Sequence, residues 1–280
     1  MAPNERTTGQ RHMGQPFTRE GDLKDLGTYP RWLQDVVRST TRQKQRIVEH
    51  DFFALMREAR LPKAALRRFL VGAWPTIEQF PRFMAMTLKK LGVGDSPGED
   101  LARRFLIHNI RVEQKHADLW LDWARAVDLT LNDIKAADGI EVPNTLTHWC
   151  WYVCDSGSTA TAIAATNYAV EGLTGEWASL VCSKPTYAAS LPEEIRISAT
   201  RWLRVHAHYD DAHPWEALEV IATLLGASPT VSEVETVRRA IRSTYCYYEL
   251  GLEYPMATLM HGSFDETASN ASTLGALDAA

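Results

Sequence analysis

From about residue 28 to residue 261, apolar side chains recur at three- and four-residue spacing, the period of helices that each bury one face. Residues 32–59 carry Leu33, Val36, Val37, Ile47, Val48, Phe52, Phe53 and Met56 on one stripe. This predicts a first helix, which Leu61-Pro62 ends. A second helix is predicted over 63–91, with Pro75 and Pro81 expected to bend it. Ser96-Pro97-Gly98 closes a loop, and a third helix follows over 99–127. Residues 128–144 are interrupted by Asp138-Gly139 and Pro143, so no more than a short turn is expected there. An aromatic helix over 145–155 precedes a small-residue, apolar one over 158–182. Leu191-Pro192 opens a helix to about residue 212, Pro214 bends or restarts it to Leu225, and a last helix covers 231–259. No alternating strand pattern of useful length intervenes. The fold class is therefore all-α: a single helical bundle of seven to eight helices over 28–261. Residues 1–27 and 262–280 lack the period and are expected to be a flexible lead and tail.

Composition narrows the class without deciding it. The 280 residues are 45% hydrophobic and 23% charged, with a formal net charge of −5. That balance gives no electrostatic footprint for nucleic acid. No apolar run approaches the roughly 20 residues of a membrane span, and the first 20 residues are too polar for a signal peptide. A cytoplasmic location is the expectation. The four cysteines, Cys150, Cys154, Cys182 and Cys246, form no CxxC pair and no zinc-ribbon spacing, and read as small buried hydrophobes.

Candidate chemistry sits in two short segments. Glu113 and His116 are three apart, neighbours on one helix face, and His206, Asp210 and His213 fall at i, i+4 and i+7 on another. Two histidines and a carboxylate facing a Glu-x-x-His is how a helical bundle builds a carboxylate-bridged two-iron site. Such a site wants about six protein ligands. Glu78, in an apolar-aromatic stretch, and Glu171, inside the small-residue helix, are the further carboxylates, because a lone buried charge is costly unless paired or metal-bound. Each group also has a plain structural reading: a chance Glu-x-x-His, a solvated or salt-bridged His/Asp stripe, a core polar network around Glu171. Jointly they favour metal. Glu176 is rotated off the face of Glu171, and His50, His108, His148 and His208 are read as structural or surface residues.

Longer segments carry a resemblance. Gly72-Ala-Trp-Pro-Thr-Ile-Glu-Gln-Phe80, Asn109-Ile-Arg-Val-Glu-Gln-Lys-His-Ala-Asp118, Ala164-Ala-Thr-Asn-Tyr-Ala-Val-Glu-Gly172, Gly175-Glu-Trp177 and His206-Ala-His-Tyr-Asp-Asp-Ala-His-Pro-Trp-Glu-Ala-Leu218 resemble the UndA family. Its members are bacterial 1-undecene synthases among the haem-oxygenase-like di-iron oxidases, relatives of the TenA and PqqC folds. The resemblance covers about 29–249. It implies a haem-oxygenase-like bundle and metal ligands at Glu78, Glu113, His116, His206, Asp210 and His213, with Glu171 a further carboxylate at the site. Glu113, Glu171 and His206 are the expected catalytic residues, with Glu113 placed to bridge two Fe(II). The implied reaction converts a medium-chain fatty acid such as lauric acid, with O2, to a terminal alkene and CO2. An external electron donor is required, since no flavin or iron–sulfur motif is present. Phe80, Phe83, Trp120, Trp149 and Tyr168 are candidates to line an alkyl tunnel, although an aromatic stripe is more often plain core. Two alternatives remain: a same-fold di-iron oxygenase acting on an amino acid or amine, and a TenA-like non-oxidative protein. A homodimer is left open. Because Asp210 and His213 adjoin Pro214, one iron is expected to bind more weakly than the other.

Overall fold

A computed structural model describes residues 24–94, 96–135, 141–209 and 213–260. Among these the chain is all-helical, with no strand. The elements are α1 (Arg31–Val48), α2 (Asp51–Arg57), α3 (Lys63–Leu88), α4 (Pro97–Glu113), α5 (His116–Arg125), α6 (Leu131–Lys135) and α7 (Glu141–Ser156). Then come α8 (Thr159–Ile163), a π-helical segment (Ala164–Val170), α9 (Glu171–Cys182), α10 (Thr186–Ala189), α11 (Glu193–Tyr209), α12 (His213–Leu225) and α13 (Val231–Met260). No helix of the described residues is long and apolar enough to cross a membrane. The expected lead and tail fall almost entirely outside the described residues.

The count, thirteen α-helices among the described residues, several of them of five residues or fewer, rather than seven to eight, rises in part because two predicted helices break. The first ends at Glu49, where His50 accepts the Phe52 amide through Nδ1 at 3.1 Å and so starts α2. The third divides at Gln114–Lys115, between the two residues of Glu-x-x-His. Conversely, α3 runs unbroken through Pro75 and Pro81. Pro143 belongs to the first turn of α7, where its missing N–H costs no hydrogen bond. Ser96 caps α4 by accepting the Glu99 amide at 3.2 Å, with Pro97 opening the helix.

Helices α3, α5, α9 and α11 surround an aromatic centre of Phe69, Trp120, Trp123, Trp177 and Trp202, at most 5% exposed. Trp202 stacks on Trp177 at 5.5 Å and Trp123 at 5.8 Å between ring centroids, and meets Trp120 edge-on at 4.7 Å. Each such pair adds about 0.5–1.5 kcal/mol beyond area burial. These rigid rings fix α11 against α5 and α9, and so set where the last turns of α11 lie relative to the α4–α5 break. Helix α13 crosses α1, α3, α7 and the π-helical segment and closes the bundle.

Candidate metal centre

Glu113 is the last residue of α4, His116 the first of α5, and His206 lies one turn from the end of α11. They are 6%, 5% and 6% exposed, and each offers a ligand atom within 4.8 Å of the others. Three sequence candidates from two distant segments thus meet at one point.

The atoms there do not satisfy one another. His116 Nδ1 lies 2.6 Å from Glu113 Oε2, yet this buried nitrogen has no hydrogen-bond partner. A buried ring nitrogen and a carboxylate oxygen so close, without a hydrogen bond to satisfy the nitrogen, are two potential ligand atoms converging on a shared position. Glu113 also ends a helix, where the dipole disfavours negative charge. A cation at the convergence answers both costs. In His206, Nδ1 faces the Trp202 carbonyl at 2.8 Å. A carbonyl only accepts, so Nδ1 carries the proton and Nε2 is the nitrogen with a lone pair to offer. The imidazole also stacks on the Trp202 ring, centroids 3.8 Å apart, and lies 4.5 Å from His116. Two neutral imidazoles and one carboxylate fit a 2-His-1-carboxylate iron site with open positions.

Glu171 lines the same cavity, 5% exposed, with Thr76, Ile77, Phe80, Val170, Thr174 and Trp202. It follows directly on the π-helical segment, a local geometry that recurs at functional sites. Asn167, fully buried, donates Nδ2–H to its carboxylate at 2.5 Å, and Thr166 Oγ1 donates to Asn167 Oδ1 at 3.2 Å. That amide holds the Glu171 carboxylate in the wall of the cavity that Glu113, His116 and His206 also line, outside the group of three whose ligand atoms lie within 4.8 Å of one another.

Glu78 is corrected. It receives Arg82 Nη2 at 2.7 Å with its side chain 30% exposed, and lines neither cavity. Thr76 and Phe80 occupy the inner face of α3, and Glu78 lies about 200° round the helix from Thr76. Asp210 and the side chain of His213 lie outside the described residues.

A second cavity, of about 530 Å³ and partly open to solvent, adjoins the first. Its wall includes Phe69, Gly72, Ala73, Trp120, Pro143, Leu146, Trp177 and Leu252. Thr76, Ile77, Val170, Thr174 and Trp202 border both cavities. Of the expected tunnel residues, Trp120 borders the larger cavity and Phe80 the smaller. Phe83, Trp149 and Tyr168 border neither and are packing residues. Sequence reasoning missed Trp202, which nothing in its helical spacing distinguishes from core. It also missed Asn167, whose position four residues before a carboxylate in an apolar run was a usable signal.

Residues 67–245 match the family described as iron-containing redox enzymes. A crystal structure of a TenA homologue from Pseudomonas syringae pv. tomato is 44% identical, with a TM-score of 0.82 over 87% of this chain and all of that one. A TenA homologue from Pyrococcus furiosus is 15% identical, with a TM-score of 0.64 over 80% of this chain and 99% of that one. A Shewanella denitrificans domain of unknown function with a haem-oxygenase-like fold is 14% identical, with a TM-score of 0.65 over 82% and 96%. The last two establish the fold alone. Among curated proteins, none matches the chain.

Proposed function

The chain belongs to the family of iron-containing redox enzymes, and we propose that it is a non-haem iron enzyme that uses O2 to decarboxylate a medium-chain fatty acid to a terminal alkene. The observation that carries this reading is the shared wall: a buried Glu113/His116/His206 cluster opens onto a cavity whose lining is apolar and aromatic. Glu113 and Glu171 are the only acidic residues bordering either cavity among the described residues, and no Lys or Arg borders them. A polar amino-acid substrate would want a charged partner there. An alkyl chain does not.

Iron held by these residues would supply O2 binding and the electron-accepting steps. The chain's own residues do the rest. Glu113 contributes the negative charge and the two imidazoles the neutral donors. The Trp202 carbonyl locks His206 in the tautomer that presents Nε2. Glu171, held by Asn167, stands ready to bind a second metal together with Asp210 and His213, or to move a proton at its Oε atoms. Thr76 and Thr174 line the common border of the two cavities, and a fatty acid would lie across it with its carboxylate on the metal side and its tail in the larger cavity. One fatty acid and one O2, with two electrons and two protons from outside, balance to one alkene, one CO2 and two waters.

Anaerobic ferrous titration followed by lauric acid, an external reductant and O2, with headspace detection of 1-undecene, tests the reading. Iron bound without any alkene, alongside turnover of an amino acid or amine, would transfer the site to the other oxygenase reaction.

One observation favours a second reading, a TenA-like non-oxidative protein: the 44% identical structure is described as a TenA homologue. A thiol-based hydrolase needs an accessible, acidified cysteine. Here Cys150 and Cys154 are buried, burial pushes both thiols up (Cys154 to about 11), and neither borders the cavities. Failure to retain iron, with His206→Ala behaving like wild type, would favour this second reading.

A further inference from the structure

The aromatic centre does more than fill space beside the metal ligands. His206 rests on Trp202 at 3.8 Å, and Trp202 stacks on Trp123 at 5.8 Å with planes 26° apart. Trp123 in turn donates Nε1–H to the Tyr187 hydroxyl at 2.7 Å, with ring centroids 6.4 Å apart. Trp202 and Trp123 are 1% and 0% exposed, and Tyr187, on the short helix α10, is 7% exposed. An unbroken run of rings therefore leads from a candidate iron ligand toward the outside. Every ring beyond the ligand is an indole or a phenol, the aromatic side chains that give up one electron most readily. No phenylalanine interrupts the run.

The proton inventory along the run differs at its two ends. Trp202 Nε1 is buried with no hydrogen-bond partner. An indole that loses an electron becomes a strong acid, but with no acceptor Trp202 keeps its proton and remains a strong oxidant. It therefore draws the next electron from Trp123 rather than trapping the charge. At the outer end Tyr187, at 7% exposure, is the most exposed ring of the run, and a neutral phenoxyl radical, its proton given up to solvent, is the more stable resting place.

We propose that Trp202, Trp123 and Tyr187 form a one-electron relay that leads from the metal centre outward to Tyr187, the most exposed ring of the run. For each electron that iron held by Glu113, His116 and His206 would accept, Trp202 would give one up and refill from Trp123, and Trp123 would refill from Tyr187. The Tyr187 O–H bond breaks, its proton passes to water, and a phenoxyl radical remains. A one-electron reductant in solution, of the iron–sulfur or reduced-flavin class, returns the electron while water returns the proton. The net change is a reductant oxidised and the iron site reduced by one electron, and no residue is consumed. Two passages supply the external electrons that decarboxylation requires. This role rests on the iron reading above, whereas the connectivity of the relay does not.

The connectivity is tested without metal. Cys150 and Cys154 are buried, so Cys246→Ser leaves Cys182 as the exposed thiol for a ruthenium polypyridyl photo-oxidant. Flash oxidation of the metal-free labelled protein is expected to give a phenoxyl radical. In Tyr187→Phe the signal becomes indolyl, and in Tyr187→Phe/Trp123→Phe it falls at least tenfold. Absence of an indole radical in the single variant, or an undiminished one in the double variant, overturns the relay. Tyr187→Phe removes only a hydroxyl, so a second measurement uses it alone. Iron-loaded protein is mixed with O2 in the absence of fatty acid, freeze-quenched and examined by electron paramagnetic resonance. A phenoxyl spectrum that drops at least tenfold in Tyr187→Phe supports the relay, and an unchanged spectrum with iron bound overturns it. Iron content of the same samples separates the two readings: connectivity intact without iron sinks the metal centre and leaves the relay standing.

Discussion

His206→Ala separates the metal role of this side chain from its packing role. The imidazole is 6% exposed, stacked on Trp202 at 3.8 Å and hydrogen-bonded to the Trp202 carbonyl at 2.8 Å. Truncating a buried ring of this size leaves a cavity and costs about 2–4 kcal/mol whether or not metal is present. The metal adds a term only the wild type can show. At a free ferrous concentration one hundred times Kd, linkage stabilises the folded state by about 2.7 kcal/mol. For a domain of this size that is a rise in Tm of about 5–11 °C. The assay is anaerobic thermal unfolding of both proteins with and without Fe(II), with His148→Ala at an exposed position as control. The wild type and the control should gain the full rise, whereas His206→Ala should start lower and gain little. An equal ferrous-induced rise in His206→Ala would show that the Glu113/His116/His206 cluster does not hold the metal.

Glu78→Ala should change stability by about 0.3–0.5 kcal/mol, the value of an exposed i,i+4 pair, and leave the iron-to-protein ratio unchanged by elemental analysis. A lost iron equivalent would place Glu78 in the ligand set. In Gly72→Ala the new Cβ would lie 2.8 and 2.9 Å from the Pro143 ring, closer than real contacts allow. The overpacking cost of about 1–3 kcal/mol outweighs the roughly 1 kcal/mol helix gain, so urea unfolding should show a net loss of up to about 2 kcal/mol. The same methyl narrows the larger cavity, and product analysis over a series of acids should shift toward shorter chains. Thiol titration of the native protein at pH 8 should reach Cys182 and Cys246 but spare Cys150 and Cys154, which burial holds in the protonated form. Four fast-reacting thiols would contradict the packing of α7.

The helical class and three metal candidates were legible because both depend on local spacing. Glu113, His116 and His206 follow from positions on a helix face, and the face survives even though α4 and α5 break between Glu113 and His116. The burial expected of Glu78 is not found, for an instructive reason. Its apolar neighbours promised burial, but burial depends on angle round the helix, and Arg82 one turn on was the signal for an outward pair. The support beneath the ligands was not legible at all. That Trp202 would turn its ring under His206 and its carbonyl toward Nδ1 depends on how α11 settles against α5 and α9, which no spacing within α11 encodes.

The π-helical segment is the other feature a period cannot announce, and its energetics make a sharp prediction. Widening the turn over Ala164–Val170 shifts the backbone ladder, and displaced carbonyls need donors from elsewhere. One is supplied across the bundle: Thr244 Oγ1, fully buried on α13, donates to the Ala165 carbonyl at 3.1 Å. The same oxygen accepts Trp149 Nε1–H at 2.9 Å. A single hydroxyl thus serves a buried acceptor and a part-buried donor, and ties α7, α13 and the segment that leads into Glu171. Thr244→Val keeps the shape and removes the hydroxyl, at about 1–3 kcal/mol for a buried group left unsatisfied. Thr244→Ser keeps the hydroxyl, loses one methyl, and should cost about 1 kcal/mol. Urea unfolding followed by circular dichroism ranks them, and amide hydrogen exchange over 164–171 should quicken in Thr244→Val alone. If Val proves as stable as Ser, with exchange unchanged, the wide turn holds itself, and Glu171 owes its position to Asn167 rather than to α13.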